Sequence, residues 1–394
     1  MVVERRHELL TTNKRNCQAK LYLDNKVEGW QYTPVCKPLW AIIKTDVMRI
    51  SILLIIVASL FSSRGNSNEN QTRVYSTQDG KFVISFDTLH INLKPYVNPD
   101  KVSLTHAVKF REIYYCYFTD KKESYSKYFF AISNKGVIEK EIKLPRDLTD
   151  CYYLDLFVLH DTIYSKPYMK DKSYYLNLQN LTWIETPEPD DVIYEDERFY
   201  VNCLDFGEWG STTWFKDKST GKEYELASSA KNIIRIDSSY YISGSIRVLK
   251  IENPLNLKQC DEDYYYQIIK KKEYSEGTNS LIGTEPVYDD TTYSYWSFKK
   301  PKLSIETSFK VDNKRFYLCT DSVKTFIAKL ENKKMISIQS LEKKYSTFDW
   351  HYSYRCKIQK DDFQLLKFGN ETGSADGFIE IKENKINIRY LRFK

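Results

Sequence analysis

Read for chemistry, the chain first offers groups of neighbouring carboxylates: Asp190–Asp191, Glu195–Asp196, Asp261–Glu262–Asp263 and Asp289–Asp290. Two carboxyl groups can divide the acid and nucleophile roles of glycoside cleavage. Adjacent acidic residues between strand-like segments also act as turn formers and as charged strand ends that discourage further pairing. The second reading carries more weight here. Oxygen ligands alternating about a glycine, as a calcium loop needs, do not occur. The eight cysteines form no C-x-x-C and no Cys/His cluster, so no metal site is expected. H-E-x-x-H, G-x-S-x-G and a Gly-rich phosphate loop are absent too, and no cofactor is expected. His160, directly before Asp161, reads as a surface turn histidine.

Tryptophans are the stronger lead. Trp209, Trp214, Trp296 and Trp350 fall at turns or strand ends amid Gly, Ser and Asp. Indole faces beside carboxylates suit sugar or peptide contacts, and Trp dominates binding hot spots. In "DFGEWGSTTWF", Gly207 and Gly210 permit a backbone that turns Trp209 outward, with Glu208 placed to accept hydrogen bonds from a ligand. The candidate binding residues are therefore Trp209, Glu208, Trp296 and Trp350, and the competing reading packs these rings between sheets. No catalytic residue is assigned.

What must position such residues is a set of strands. Tyr occurs 32 times and Phe 20, against 13 Gly and 11 Pro, a balance that favours pleated, half-buried surfaces. "FVISF", "IYYCYF", "YFFAIS", "DLFVL", "RFYVNC", "YYISGS", "RVLKIE" and "RFYLCT" each predict a short strand. "SVKTFIAKL" at 322–330 fits a helix or a strand. Acidic turns recur before strands in "HDTIY", "EDERFY", "DSSYY" and "DNKRFY", at spacings compatible with a repeated unit. Repeats of about 40–50 residues with four strands each predict a β-propeller, because one such sheet cannot bury both faces alone. Six or seven four-stranded blades fit this all-β chain, seven being preferred, and the alternative is a pair of tandem β-sandwiches. "GFIEIKENKINIRYLRF" should close the ring against strands near Phe82. Cys116, Cys203 and Cys319 fall at equivalent mid-strand positions and read as buried free thiols.

The apolar run in "SILLIIVASLFSSRGNSNENQ" begins only at residue 50. It is too short to span a membrane, which takes about twenty apolar residues. It matches the core of a secretory signal peptide, and Met48-Arg49 supply a start and a positive charge. The expected organisation is an upstream extension over 1–47, a signal peptide over 48–65, a disordered Asn/Ser-rich tether over 66–75 and the propeller over 76–394. The alternative makes the apolar run a core element of a genuine N-terminal domain. "LFSSRGNSNEN" resembles the signal ends of Bacteroidota lipoproteins, in which a Cys receives the lipid. Arg64 stands in that place, and a guanidinium cannot form the thioether.

Residues 1–63 carry nine Lys/Arg and five Asp/Glu, which leaves only +2 of the +6 net charge for the rest. A near-neutral body excludes a nucleic-acid footprint. "DFGEWGSTTWFKDKSTGKEYEL", "DLFVLHDTIY" and "ETSFKVDNKRFYLCT" resemble uncharacterised exported propeller proteins of Bacteroidota, a resemblance that implies a fold and a compartment but no activity. The expectation is an exported binding or interaction module for glycan or peptide, at the periplasm, outer membrane or cell exterior. It is expected to be monomeric and without an integral membrane span. The rivals are a propeller glycoside hydrolase or lyase and a purely structural envelope protein.

Overall fold

The computed structural model describes residues 71–77, 80–123, 126–151, 154–167, 170, 172–187, 192–206, 210–260, 277–290, 302–347, 363–369 and 375–394. They form a six-bladed β-propeller. Blade I holds β3 (Val102–Phe110), β4 (Ile113–Asp120), β5 (Lys127–Ser133) and β6 (Ile138–Glu141), and a single helical turn, α1 (Arg146–Thr149), leads out of it. Blade II holds β7 (Leu154–Leu159), β8 (Thr162–Pro167), β9 (Lys172–Asn177) and β10 (Thr182–Pro187). Blade III holds β11 (Val192–Glu195), β12 (Phe199–Asp205), β13 (Ser211–Asp217) and β14 (Glu223–Leu226). Blade IV holds β15 (Asn232–Ile236), β16 (Ser239–Ser243), β17 (Arg247–Ile251) and β19 (Glu285–Asp289). Between β17 and β19 the chain returns to blade III, where β18 (Lys258–Gln259) pairs with β14 as a fifth strand. Blade V holds β20 (Ser304–Val311), β21 (Lys314–Thr320), β22 (Thr325–Glu331) and β23 (Lys334–Ser340). Blade VI joins both ends of the propeller: β24 (Phe363–Gly369), β25 (Ala375–Lys382) and β26 (Lys385–Phe393) continue into β2 (Gly80–Ile91) and β1 (Gln71–Thr77).

Six blades replace the preferred seven. The reason is the detour between β17 and β19, which spends on a link and an added edge strand the length that a seventh blade would need. The strand reading of 322–330 is the right one, since most of it lies in β22. The tether expected over 66–75 ends earlier, because β1 begins at Gln71 and its residues pair with β2. The extension over 1–47, the signal segment over 48–65 and residues 66–70 lie outside the described residues. Among those described, no helix is long and apolar enough to cross a membrane.

The four acidic turns noted in the sequence connect the first two strands of blades II to V. Two of them, and the corresponding turn of blade I, are two-residue hairpins with both residues at positive φ: Arg111–Glu112, His160–Asp161 and Asp312–Asn313. Such type I′ turns match the right-handed twist of the flanking strands. His, Asp and Asn tolerate that conformation; Arg111 and Glu112 are unusual occupants of it. The second strands β4, β12 and β21 carry Cys116, Cys203 and Cys319, all buried cysteines, as expected from equivalent positions.

Apolar faces stack blade on blade. Phe82, Ile84, Phe316, Leu318, Ile379 and Ile388 join blades V and VI, and Leu89, Leu104, Tyr114, Phe118, Phe378 and Leu391 join blades VI and I. Further clusters join I with II, III with IV, and IV with V. Closure is the topological exception. β2 and β26 pair in parallel from Val83↔Lys385 to Ile91↔Phe393, as strands from opposite chain ends can when no hairpin ties them. β24 correspondingly runs against β3: the Lys109 ammonium lies over the Phe363 ring, while Lys367 Nζ reaches back to the Thr105 carbonyl at 2.6 Å. This direction brings the β25–β26 turn to the same end of the propeller as the β3–β4 turn.

Candidate functional site

That shared end carries a groove of about 650 Å³, within the size range of ligand pockets. Its walls are the β3–β4 turn with Arg111 and Glu112, the β7–β8 turn with His160 and Asp161, and the β25–β26 hairpin with Lys382 and Lys385. Strands β1 and β2 add Thr72, Val83 and Ser85 on the outer side. Each wall follows from the fold: two blades present their first turns, and the reversed direction of blade VI adds the third.

The floor is a buried carboxylate and the groups that hold it. Glu380, on β25, is 7% exposed. Tyr114 donates its hydroxyl proton to Glu380 Oε1, and Lys109 Nζ lies 3.4 Å from the same oxygen. Asn387 Nδ2 and Arg389 Nε approach Oε2 at 3.5 and 3.9 Å. Ser85 Oγ donates to Asn387 Oδ1 at 2.9 Å and so orients the amide. Arg389 also meets Asp87 Oδ2 at 3.0 Å and donates to the Asn134 carbonyl at 2.7 Å. Burial, and then the Glu380 charge, push the Tyr114 phenol far above its ordinary value, so it stays protonated and donating. Burial likewise raises the Asp87 carboxyl, against the opposing pull of Arg389. For Arg389 burial works against the charge, but Tyr114, Glu380 and Asp87 outweigh it and the guanidinium is held more firmly charged.

Around this saturated floor the rim is basic. Lys109 also pairs with Glu112 at 3.4 Å, whereas Arg111, Lys382 and Lys385 have no ion pair among the described residues. Both ring surfaces in the groove are already covered: Arg111 lies 4.9 Å from the Phe110 centroid and Lys109 5.5 Å from that of Phe363. Val83 and Val158 supply bare apolar wall. At the far end His160 Nε2 lies 3.1 Å from Glu195 Oε2, and Lys218 meets the other oxygen of Glu195 at 2.7 Å.

The residues singled out from the sequence fare differently. Trp209, Glu208, Trp296 and Trp350 lie outside the described residues. Gly210, which follows Trp209, has φ +92, a conformation that strains any L side chain, and it packs against Gly277, where a Cβ would come within 2.6 Å of the Ser211 nitrogen. Trp214 is fully buried in β13 beside Leu204, a core residue. His160 is an exposed turn residue, as read. The pair Glu195–Asp196 closes a turn: Asp196 accepts from the backbone N–H groups of Arg198 and Phe199 and from the Tyr240 hydroxyl at 2.5 Å. Among the described residues no group of three or more His, Cys, Asp or Glu is placed to hold a metal ion. Sequence reasoning missed the groove. Its signal was a contrast: the turn in "KFREIYY" sets Arg111 beside Glu112, with Lys109 just before it, where the corresponding positions of blades II to V carry Asp or Glu-Asp.

No protein-family model matches the sequence, and no curated protein matches it. Similar folds occur among solved structures. A Bacteroides fragilis protein described as exported is 10% identical, with 77% of this chain and 86% of that one covered at a TM-score of 0.29. The extracellular domain of a two-component system protein from B. thetaiotaomicron is 8% identical over 73% of this chain at a TM-score of 0.32, and this chain spans about a third, 32%, of that larger one. Kluyveromyces lactis Hsv2 is 12% identical, with 78% and 85% covered at a TM-score of 0.29. Likeness at this level carries no argument about activity or compartment.

Proposed function

We propose that the chain is an exported propeller that works by binding, and that the groove between blades I, II and VI is where it binds. The observation that carries this reading is the groove itself: a concavity of ligand size whose walls hold Arg111, Lys382 and Lys385, cations with no ion pair among the described residues. Export rests on the Met48-Arg49 start and the apolar run that follows. The hydrolase reading is weaker at this site. Two carboxyl groups must be available for acid and base work, yet Glu380 is bound by Tyr114, Lys109 and Asn387 and Glu112 is engaged by Lys109. Among the described groove residues that leaves Asp161. The tryptophan candidates at 209, 296 and 350, with Glu208, remain a second proposed contact region for the same activity.

The test is to probe the purified full chain and its Arg111→Glu variant on combined glycan and peptide arrays. Binding by the parent that the variant loses supports the groove. Binding that the variant retains moves the site elsewhere, and turnover of an arrayed glycan overturns the binding reading in favour of hydrolysis.

A further inference from the structure

Lys382 and Lys385 are direct cross-strand partners at the end of the β25–β26 hairpin. Side chains so placed have Cβ atoms about 4.5–5.5 Å apart, and like charges there repel. A carboxylate within reach would relieve that repulsion. These two have none among the described residues, although Glu383 stands in the turn between them. Arg111 faces the same groove from a turn in which it and Glu112 both adopt positive φ, at 49° and 63°, without the Asn or Gly that usually relieves that conformation. Three cations are thus held toward one space at a local cost, and an anion entering that space would offset the repulsion.

We propose that the groove takes an extended acidic peptide segment, its carboxylates meeting Arg111, Lys382 and Lys385 and its apolar side chains meeting Val83 and Val158. This rests on the groove being the binding site. A peptide is favoured over an acidic glycan because sugars bind chiefly by stacking on bare aromatic faces. Both rings here are capped by cations, Phe110 by Arg111 and Phe363 by Lys109. Alternating side chains on an extended strand point to opposite faces, so a segment alternating acid and aliphatic residues can address the basic hairpin and the valine wall together. The Glu380 floor would not compete for the cations, since its oxygens are already taken by Tyr114, Lys109 and Asn387.

Fluorescence anisotropy on the full chain tests this with three probes: a labelled peptide of alternating Glu and Val, its counterpart with Gln for Glu, and labelled polygalacturonate. The Glu peptide should bind at least about tenfold more tightly than the Gln peptide and weaken as salt rises. Lys382→Glu with Lys385→Glu should abolish that preference. Lys385→Gln should weaken binding without lowering the melting temperature, which separates lost recognition from lost folding. Equal binding of the two peptides would overturn the acidic class while leaving the groove as a binding site. Polygalacturonate binding without peptide binding would overturn the peptide and leave an acidic glycan. If no probe binds and none shifts the melt, both this inference and the groove reading fall.

Discussion

The seam between blades VI and I underlies the groove, and the seam between blades II and III begins beyond its far wall at His160; the two are built differently. At VI–I, Leu89, Leu104, Tyr114, Phe118, Phe378 and Leu391 form a continuous apolar cluster, and Tyr114 stacks on Phe378 at 5.4 Å. Buried polar groups cross it as a connected set, from Tyr114 and Lys109 on blade I to Glu380 and Arg389 on blade VI. At II–III no apolar cluster among the described residues spans the two blades. The aromatic row on blade II, Phe157 stacked on Tyr164 at 5.6 Å with Tyr175 beyond, stays half-buried. The cross-blade contact described there is His160 with Glu195, near the surface. The chain ends meet inside blade VI, where no hairpin ties β26 to β2, and the C-terminal strands β25 and β26 that carry Glu380 and Arg389 are fastened to blade I by burial rather than by a chain link. Blades II and III are joined by continuous chain and can tolerate a looser contact.

The largest test of this contrast is Glu380→Ala. Truncation would leave the Lys109 ammonium, the Arg389 guanidinium and the Tyr114 hydroxyl without their shared acceptor in a buried place, which costs about 3–5 kcal/mol. Urea denaturation of the full chain measures it. A loss below about 0.5 kcal/mol would mean that the VI–I seam is held by its apolar cluster alone.

A smaller effect, of opposite sign on the two sides, is expected in the acid range. Lys218, then His160, hold the Glu195 carboxyl below its ordinary value, with burial partly opposing them. Its contribution is present at neutral pH and is lost as pH falls from the unfolded value, about 4.3, through the folded one. Asp87 is raised by burial, so the folded state binds its proton more tightly. Its contribution is greatest below the unfolded value, about 3.9, and is lost as pH rises through the folded one. Stability of the parent relative to Glu195→Gln should therefore fall on acidification, whereas relative to Asp87→Asn it should rise. Parallel slopes for the two pairs would show that the seams do not differ in how they treat charge.

Much of the fold could be read in advance because its determinants are local. The acidic turns at 160–161, 195–196, 237 and 312–313 mark one position in successive blades, and a buried cysteine recurs on the second strand of blades I, III and V. Ring closure by the last strand near Phe82 was equally legible from its apolar alternation. Blade number was not, since the link from β17 to β19 gives no local sign that it returns to pair with β14. The groove was hidden for a related reason. Lys109, Glu380 and Arg389 are far apart in sequence and meet only because blade VI runs in the direction that parallel closure imposes. Nothing in the neighbourhood of any one of them announces the others. Trp214 shows the converse limit: Gly and Ser upstream suggested exposure, but the pleat of β13 turns that ring into the core.

The smallest expected effect is the one that separates the two seams most cleanly. His160 is 56% exposed and its partner Glu195 29%. An ion pair in such a setting is worth about 0–1 kcal/mol and is screened by salt. His160 also occupies a positive-φ turn position, φ 45°, which His tolerates better than Ala does. His160→Ala would therefore mix a backbone cost with the lost contact, and His160→Asn, which suits the same turn, isolates the contact. The expected loss for His160→Asn is below about 1 kcal/mol, and smaller still in 1 M NaCl. A loss of several kcal/mol at high salt would show that the II–III seam is fastened through this residue, and the contrast with the VI–I seam would then fail.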